Sequence, residues 1–122
     1  MSDKSYLKIF ITQLNSFIDD LILLWPDDNE FRVFKNGIGL LNKTNPRKIV
    51  QLFGEYVNKY ENKILQRDET FFLKNDYNEI EKTENILNSM DKLKIYWVNL
   101  SDQNKEKVWK YFEILLRLSK MV

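Results

Sequence analysis

Leu7, Leu14 and Leu21 stand seven residues apart, as do Phe10, Phe17 and Leu24, and again Ile11, Ile18 and Trp25. Seven residues are close to two turns of α-helix, so each row runs along one side of the cylinder. A period-two strand would instead send Leu7 and Phe10 to opposite faces. A two-stranded coiled coil uses two apolar positions per heptad, whereas three make the broader stripe of a helix set against several neighbours in one globular core. The pattern predicts a bundle helix ended by Pro26, which cannot donate to the preceding turn and moves Trp25 away from helical geometry.

The remainder of the chain repeats this logic. Asp27, Asp28 and Glu30 put negative charge where a second helix would present its partly positive end, and Phe31, Phe34, Ile38 and Leu41 follow at helical spacing. Gly37 and Gly39 weaken that helix, by up to about 1 kcal/mol each relative to alanine. Asn45-Pro46 predicts a third start, with asparagine capping the exposed amides and proline at the first helical position. Ile49, Val50, Phe53, Tyr56, Val57, Tyr60 and Ile64 then mark one face of a long helix reaching about Gln66, with Gly54 allowing close backbone approach.

Asp68-Glu69-Thr70-Phe71-Phe72-Leu73 breaks the register as a short turn or helix anchored by its two phenylalanines. Lys74 to Glu84 is an exposed connection in which Asp76 and Glu79 offer a cap and its reciprocal acid. Ile86, Met90, Leu93, Trp97 and Leu100 give the seam of a fourth helix. Ser101 caps a fifth, on which Val108, Trp109, Tyr111, Phe112, Ile114, Leu115, Leu116 and Leu118 spread around roughly 220° of the wheel, as expected at the centre of a bundle. The expected architecture is all-α: residues 1–122 as one compact domain of about five helices.

Alanine, the best helix former, does not occur, so helicity must come mainly from burying amphipathic faces. The preference for Lys, Asn, Ile, Phe and Tyr, whose codons are A/T-heavy, points to an A/T-biased genome. Nineteen basic residues against 18 acidic ones leave a formal charge of +1, so no long-range field favours nucleic acid or an acidic membrane. Gln13, Asn15, Asp19 and Asp20 interrupt the first apolar stretch before a secretory core or a membrane span could form, and no membrane association is expected. The triplets Asn42-Lys43-Thr44 and Asn99-Leu100-Ser101 would then stay unglycosylated in an intracellular, reducing compartment.

Histidine and cysteine are also absent, which removes the usual general base, the commonest metal ligand and every thiolate. The acidic clusters Asp19-Asp20, Asp27-Asp28, Asp68-Glu69 and Asp76 to Glu84 fall on polar faces or in connections, where solvent leaves a carboxyl unsuited to general acid catalysis. Asp76-Tyr77-Asn78-Glu79 lacks the alternating ligands and central glycine of a calcium loop. Gly37-Ile38-Gly39 lacks the third glycine and preceding strand of a dinucleotide fingerprint. We therefore expect no enzyme activity, no catalytic residue, no cofactor and no metal.

Two binding readings remain. Ile9, Leu23, Leu65, Ile95 and Val98 fall outside the inferred stripes. Ile95 and Val98 share a face of the fourth helix and are the first choice for a protein interface, against the ordinary alternative that neighbouring helices cover them. The second reading is nucleic-acid binding by Lys43, Arg47 and Lys48 at the start of the third helix, where free amides and cations could hold a phosphate.

Asn45-Pro46 followed by Phe53, Tyr56 and Tyr60, then Asp68-Glu69-Thr70-Phe71-Phe72-Leu73, and finally Val108-Trp109-Lys110-Tyr111 with Leu115 and Leu118 resembles a family of short helical proteins encoded by nucleocytoplasmic large DNA viruses, particularly algal and giant viruses. The resemblance covers most of the chain and implies an all-helical viral protein without supplying catalytic or binding residues. It implies a place in the host cytoplasm or nucleus, or in the virion. The leading expectation is a non-enzymatic interaction or assembly component whose partner is a viral protein, a host protein or a second copy. The runner-up is a nucleic-acid-associated accessory factor in viral transcription or replication.

Overall fold

The heptad rows become α1, Asp3–Leu24, in a computed structural model that describes residues 3–70, 93 and 95–122. Seven of the nine row residues, Leu7 through Leu21, are buried, while Trp25 is half-buried and Leu24 is exposed. The stripe loses its cover at its last turn because Pro26 takes the chain away before another turn can form. Helix α2, Asn29–Thr44, opens with Asp28 at its N-cap, the carboxylate accepting from the Glu30 amide at 3.0 Å. It runs unbroken through Gly37 and Gly39, since burial of Phe31, Phe34 and Ile38 outweighs their poor propensity.

Helix α3, Pro46–Lys59, begins at the expected proline, but Asn45 does not cap it with its side chain. Its backbone bridges the junction instead: the Asn45 amide donates to the Leu41 carbonyl at 2.7 Å, and its carbonyl accepts from the Lys48 amide at 3.1 Å. The long third helix expected to reach Gln66 reaches it in two pieces. At Tyr60, φ of −110° and ψ of 23° interrupt the run, and α4, Glu61–Leu65, continues to Gln66. Periodicity hid this break, because Tyr60 and Ile64 keep the apolar spacing across it.

Helix α5, Asp102–Ser119, is capped as expected by Ser101, whose Oγ accepts from the Asn104 amide at 3.1 Å. It packs against α1, α3 and α4, while α2 packs on α1 and α3. Val108, Trp109, Phe112, Leu115 and Leu116 are buried; Ile114, expected in the same face, is exposed. No strand occurs among the described residues, and the protein is an all-α bundle.

Aromatic rings form its spine. Phe17 lies edge-on to Phe112 at 5.4 Å, Phe112 stacks over Phe53 at 6.1 Å, and Phe53 meets Phe10 edge-on at 5.8 Å. Such offset and T-shaped pairs add to the stabilisation from burial alone. Gly54 makes the close approach expected of it: a Cβ there would stand 3.4 Å from the Cβ of Ser119 on α5. The readings placed on Phe71, Phe72, Lys74 to Glu84, Ile86 and Met90 lie outside the described residues. Leu93 and Trp97, from the same predicted seam, are buried.

Candidate functional site

Residues 95–97 are helical and 98–99 form a turn, and two of these side chains tie the segment to the bundle. The Tyr96 ring stacks on Trp25 at 4.3 Å, and its hydroxyl donates to the Asp28 carboxylate. Trp97 lies edge-on to Trp109 at 5.3 Å, with the Lys105 ammonium over its ring. Ile95 precedes this inward pair in the helix, whereas Val98, expected on the same helix face, follows it in the turn. They are 66% and 61% exposed, so the neighbouring helices do not cover them.

The other apolar residues left outside the stripes divide. Ile9 is half-buried, whereas Leu23 and Leu65 are exposed on different helices. Ile95 and Val98 are the adjacent pair. On the outer face of α2, Val33 and Leu40 are also exposed, seven residues apart; sequence reading missed them because the α2 stripe was assigned to its buried side.

Lys43 and Arg47 are exposed and Lys48 is half-buried at the junction between α2 and α3. The three lie close along the chain, since the single residue Asn45 separates the two helices. The first turn of α3 carries no acidic residue. None of the three cations forms an ion pair among the described residues.

The carboxylates are less uniformly solvated than the sequence implied. Asp19 pairs with Lys35 across α1 and α2. Asp20 accepts from the Tyr111 hydroxyl at 2.7 Å, and the Tyr111 ring stacks on Phe17 at 4.9 Å. Burial, followed by the hydrogen bond and charge of Asp20, pushes the Tyr111 phenol up to about 12. Arg67, Glu106 and Glu113 make a second polar cluster between the end of α4 and α5. Among the described residues no group of three or more carboxylates is arranged to hold a metal ion, and no helix is long and apolar enough to cross a membrane.

Sequence reading missed a cleft between the last turns of α1 and the first turns of α5. Its volume is about 160 Å³, its floor includes Phe17, Leu21 and Val108, and its walls carry Leu24, Asp20 and Lys107. Leu24 also lines a broader recess formed with Trp25, Asp27, Asp28 and Tyr96. The one available signal was the position of Leu24 in the last turn before Pro26, where no later turn of its own helix can shield it.

These features define a helical bundle with solvent-facing apolar residues at one helix end and a cleft beside its α1–α5 seam. No protein-family model, no curated protein and no solved structure matches the chain.

Proposed function

We propose that this chain works without enzymatic chemistry, as a protein-interaction or assembly component of a large DNA virus. The observation that carries the reading is the outward placement of Ile95 and Val98 beside Tyr96 and Trp97, which are fixed to the bundle. Two apolar side chains held in water on an anchored segment contribute little to the fold and gain free energy when a partner covers them. The viral setting is supported by the ordered motifs from Asn45-Pro46 to Leu118 and by the A/T-leaning choice of residues.

The cations at the α2–α3 junction favour a second reading, a nucleic-acid-associated accessory factor. Lys43, Arg47 and Lys48 would there meet phosphate beside an α3 first turn free of carboxylates. One pair of experiments separates the two. Under the first reading, Ile95→Asp or Val98→Asp abolishes recovery of the partner from infected cells while the bundle stays folded, and reversal of the three cations to Glu has little effect. Under the second, that charge reversal abolishes binding to DNA or RNA, and parental binding weakens steeply with salt as counterions are released. Salt-sensitive nucleic-acid binding lost with the three cations, alongside unchanged protein capture by the aspartate variants, overturns the first reading.

A further inference from the structure

The cleft between α1 and α5 lies apart from the cationic junction and does not include Ile95 or Val98. Its floor is apolar, and at about 160 Å³ it takes one large aliphatic or aromatic side chain. Leu24 lines both this cleft and the recess beside Trp25 and Tyr96, so the two adjoin at that side chain. Leu23, in the cleft wall, is 78% exposed, and Leu24 is 37% exposed.

Among the described residues, carboxylates outnumber cations on this surface. Asp20, Asp27 and Asp28 line the two hollows, against the ammonium of Lys107 and the Arg32 guanidinium held on the Pro26 carbonyl at the edge of the recess. Asp27 is exposed and forms no ion pair among the described residues. An acidic rim repels phosphate and attracts Lys or Arg, while the floor selects an apolar anchor. The tie between Tyr111 and Asp20, with Tyr111 stacked on Phe17, fixes one wall in advance. That saves part of the ordering cost that binding otherwise incurs.

We propose that this surface docks a short basic-apolar segment of another protein. A Leu-, Ile- or Phe-sized side chain seats on Phe17, Leu21 and Val108, and flanking Lys or Arg residues face Asp20 and Asp27. Charge complementarity selects this occupant over an acidic peptide or a nucleic acid. The inference goes beyond the Ile95–Val98 reading and stands or falls separately from it.

The test uses the full chain and three fluorescently labelled synthetic peptides: one alternating Leu with Arg, one alternating Leu with Glu, and one alternating Ser with Arg. Only the Leu/Arg peptide is expected to saturate the protein, with amide shifts centred on Leu23, Leu24 and Lys107. Leu23→Asp and Asp27→Lys alter exposed positions and should leave the fold intact. Each is expected to weaken that binding about tenfold or more, whereas Ile95→Asp leaves it unchanged. Absence of saturable binding overturns the proposal, as does equal binding of the Leu/Glu or Ser/Arg peptide. Loss of binding in Ile95→Asp with none in Leu23→Asp or Asp27→Lys also overturns it, and leaves the Ile95–Val98 reading standing.

Discussion

Arg67 grips both carboxylate oxygens of Glu106, Nε to Oε2 at 3.0 Å and Nη2 to Oε1 at 2.8 Å, from a backbone position with φ of 50°. Its amide donates to the Ile64 carbonyl at 3.2 Å and the Asp68 amide donates to the Lys63 carbonyl at 2.8 Å, which is the Schellman closure of α4. Glycine normally fills this left-handed position. Here a side chain occupies it and joins the end of α4 to α5. A left-handed conformation costs a residue with a Cβ roughly 1–2 kcal/mol. Arg67→Gly is therefore expected to be about 1 kcal/mol more stable than Arg67→Ala, although both lose Glu106. Denaturant midpoints measure the difference, and coincident midpoints would contradict the strained geometry.

The same pair predicts an acid response. Hydrogen bonding to the Arg67 guanidinium, reinforced by its charge, holds the Glu106 carboxyl below the usual carboxylate range. A carboxyl with a folded pKa below its unfolded value stabilises the fold above the unfolded value, and that contribution is lost as pH falls through the folded one. Glu106→Gln should flatten the stability profile across this acidic window. An unchanged profile would mean that the pair does not persist in solution.

Tyr111 predicts the opposite limb. Burial first, and then Asp20, raise its phenol from an ordinary 10.0 to about 12. The folded state thus holds this proton more tightly than the unfolded chain does. Its contribution is complete below pH 10.0 and declines as pH climbs toward about 12. Stability of the parent should fall more steeply over that interval than stability of Tyr111→Phe, and near-ultraviolet phenolate absorbance should show a late-titrating component that Tyr111→Phe removes.

Phe112 sits between Phe17 and Phe53 and is fully buried. Phe112→Ala removes contacts on both sides and leaves a cavity in the spine, so a loss of about 3–5 kcal/mol is expected. Thermal unfolding identical to the parent would count against this core assignment.

The glycines offer a matched stabilising test. Nothing lies within 4 Å of a Cβ placed on Gly39, at an exposed position inside α2. Gly39→Ala should therefore gain close to the full helix-propensity difference of about 1 kcal/mol. At Gly54 the added methyl meets Ser119 at 3.4 Å, so alanine should gain less there, and valine should be destabilising because its branch has no room. Melting temperatures of the three variants check the order; a Gly54→Ala gain equal to that of Gly39→Ala would argue against tight α3–α5 packing.

Much of the fold was legible because apolar spacing records which side of a helix is buried. The rows of α1, the start at Pro46 and the Ser101 cap all appear where local pattern places them. Ile95 and Val98 were legible as surplus apolar residues, but their exposure was not, since it depends on Tyr96 reaching Trp25 and Asp28 from far along the chain. The cleft was illegible for the same reason. Phe17, Leu21 and Val108 read as ordinary core positions, and nothing local says that two helices leave a hollow where they meet.

The sequence by itself determined that this chain is helical, where α1 ends, where α2, α3 and α5 begin, and which side chains seek the interior, because turns, caps and amphipathic periodicity act over a few residues. Only the tertiary structure decided that the third helix breaks at Tyr60, that Arg67 occupies a left-handed turn against Glu106, and that Asp20 meets Tyr111. Those outcomes depend on packing between segments distant along the chain, where a shift of one helix against another changes which groups meet without changing the periodicity of either.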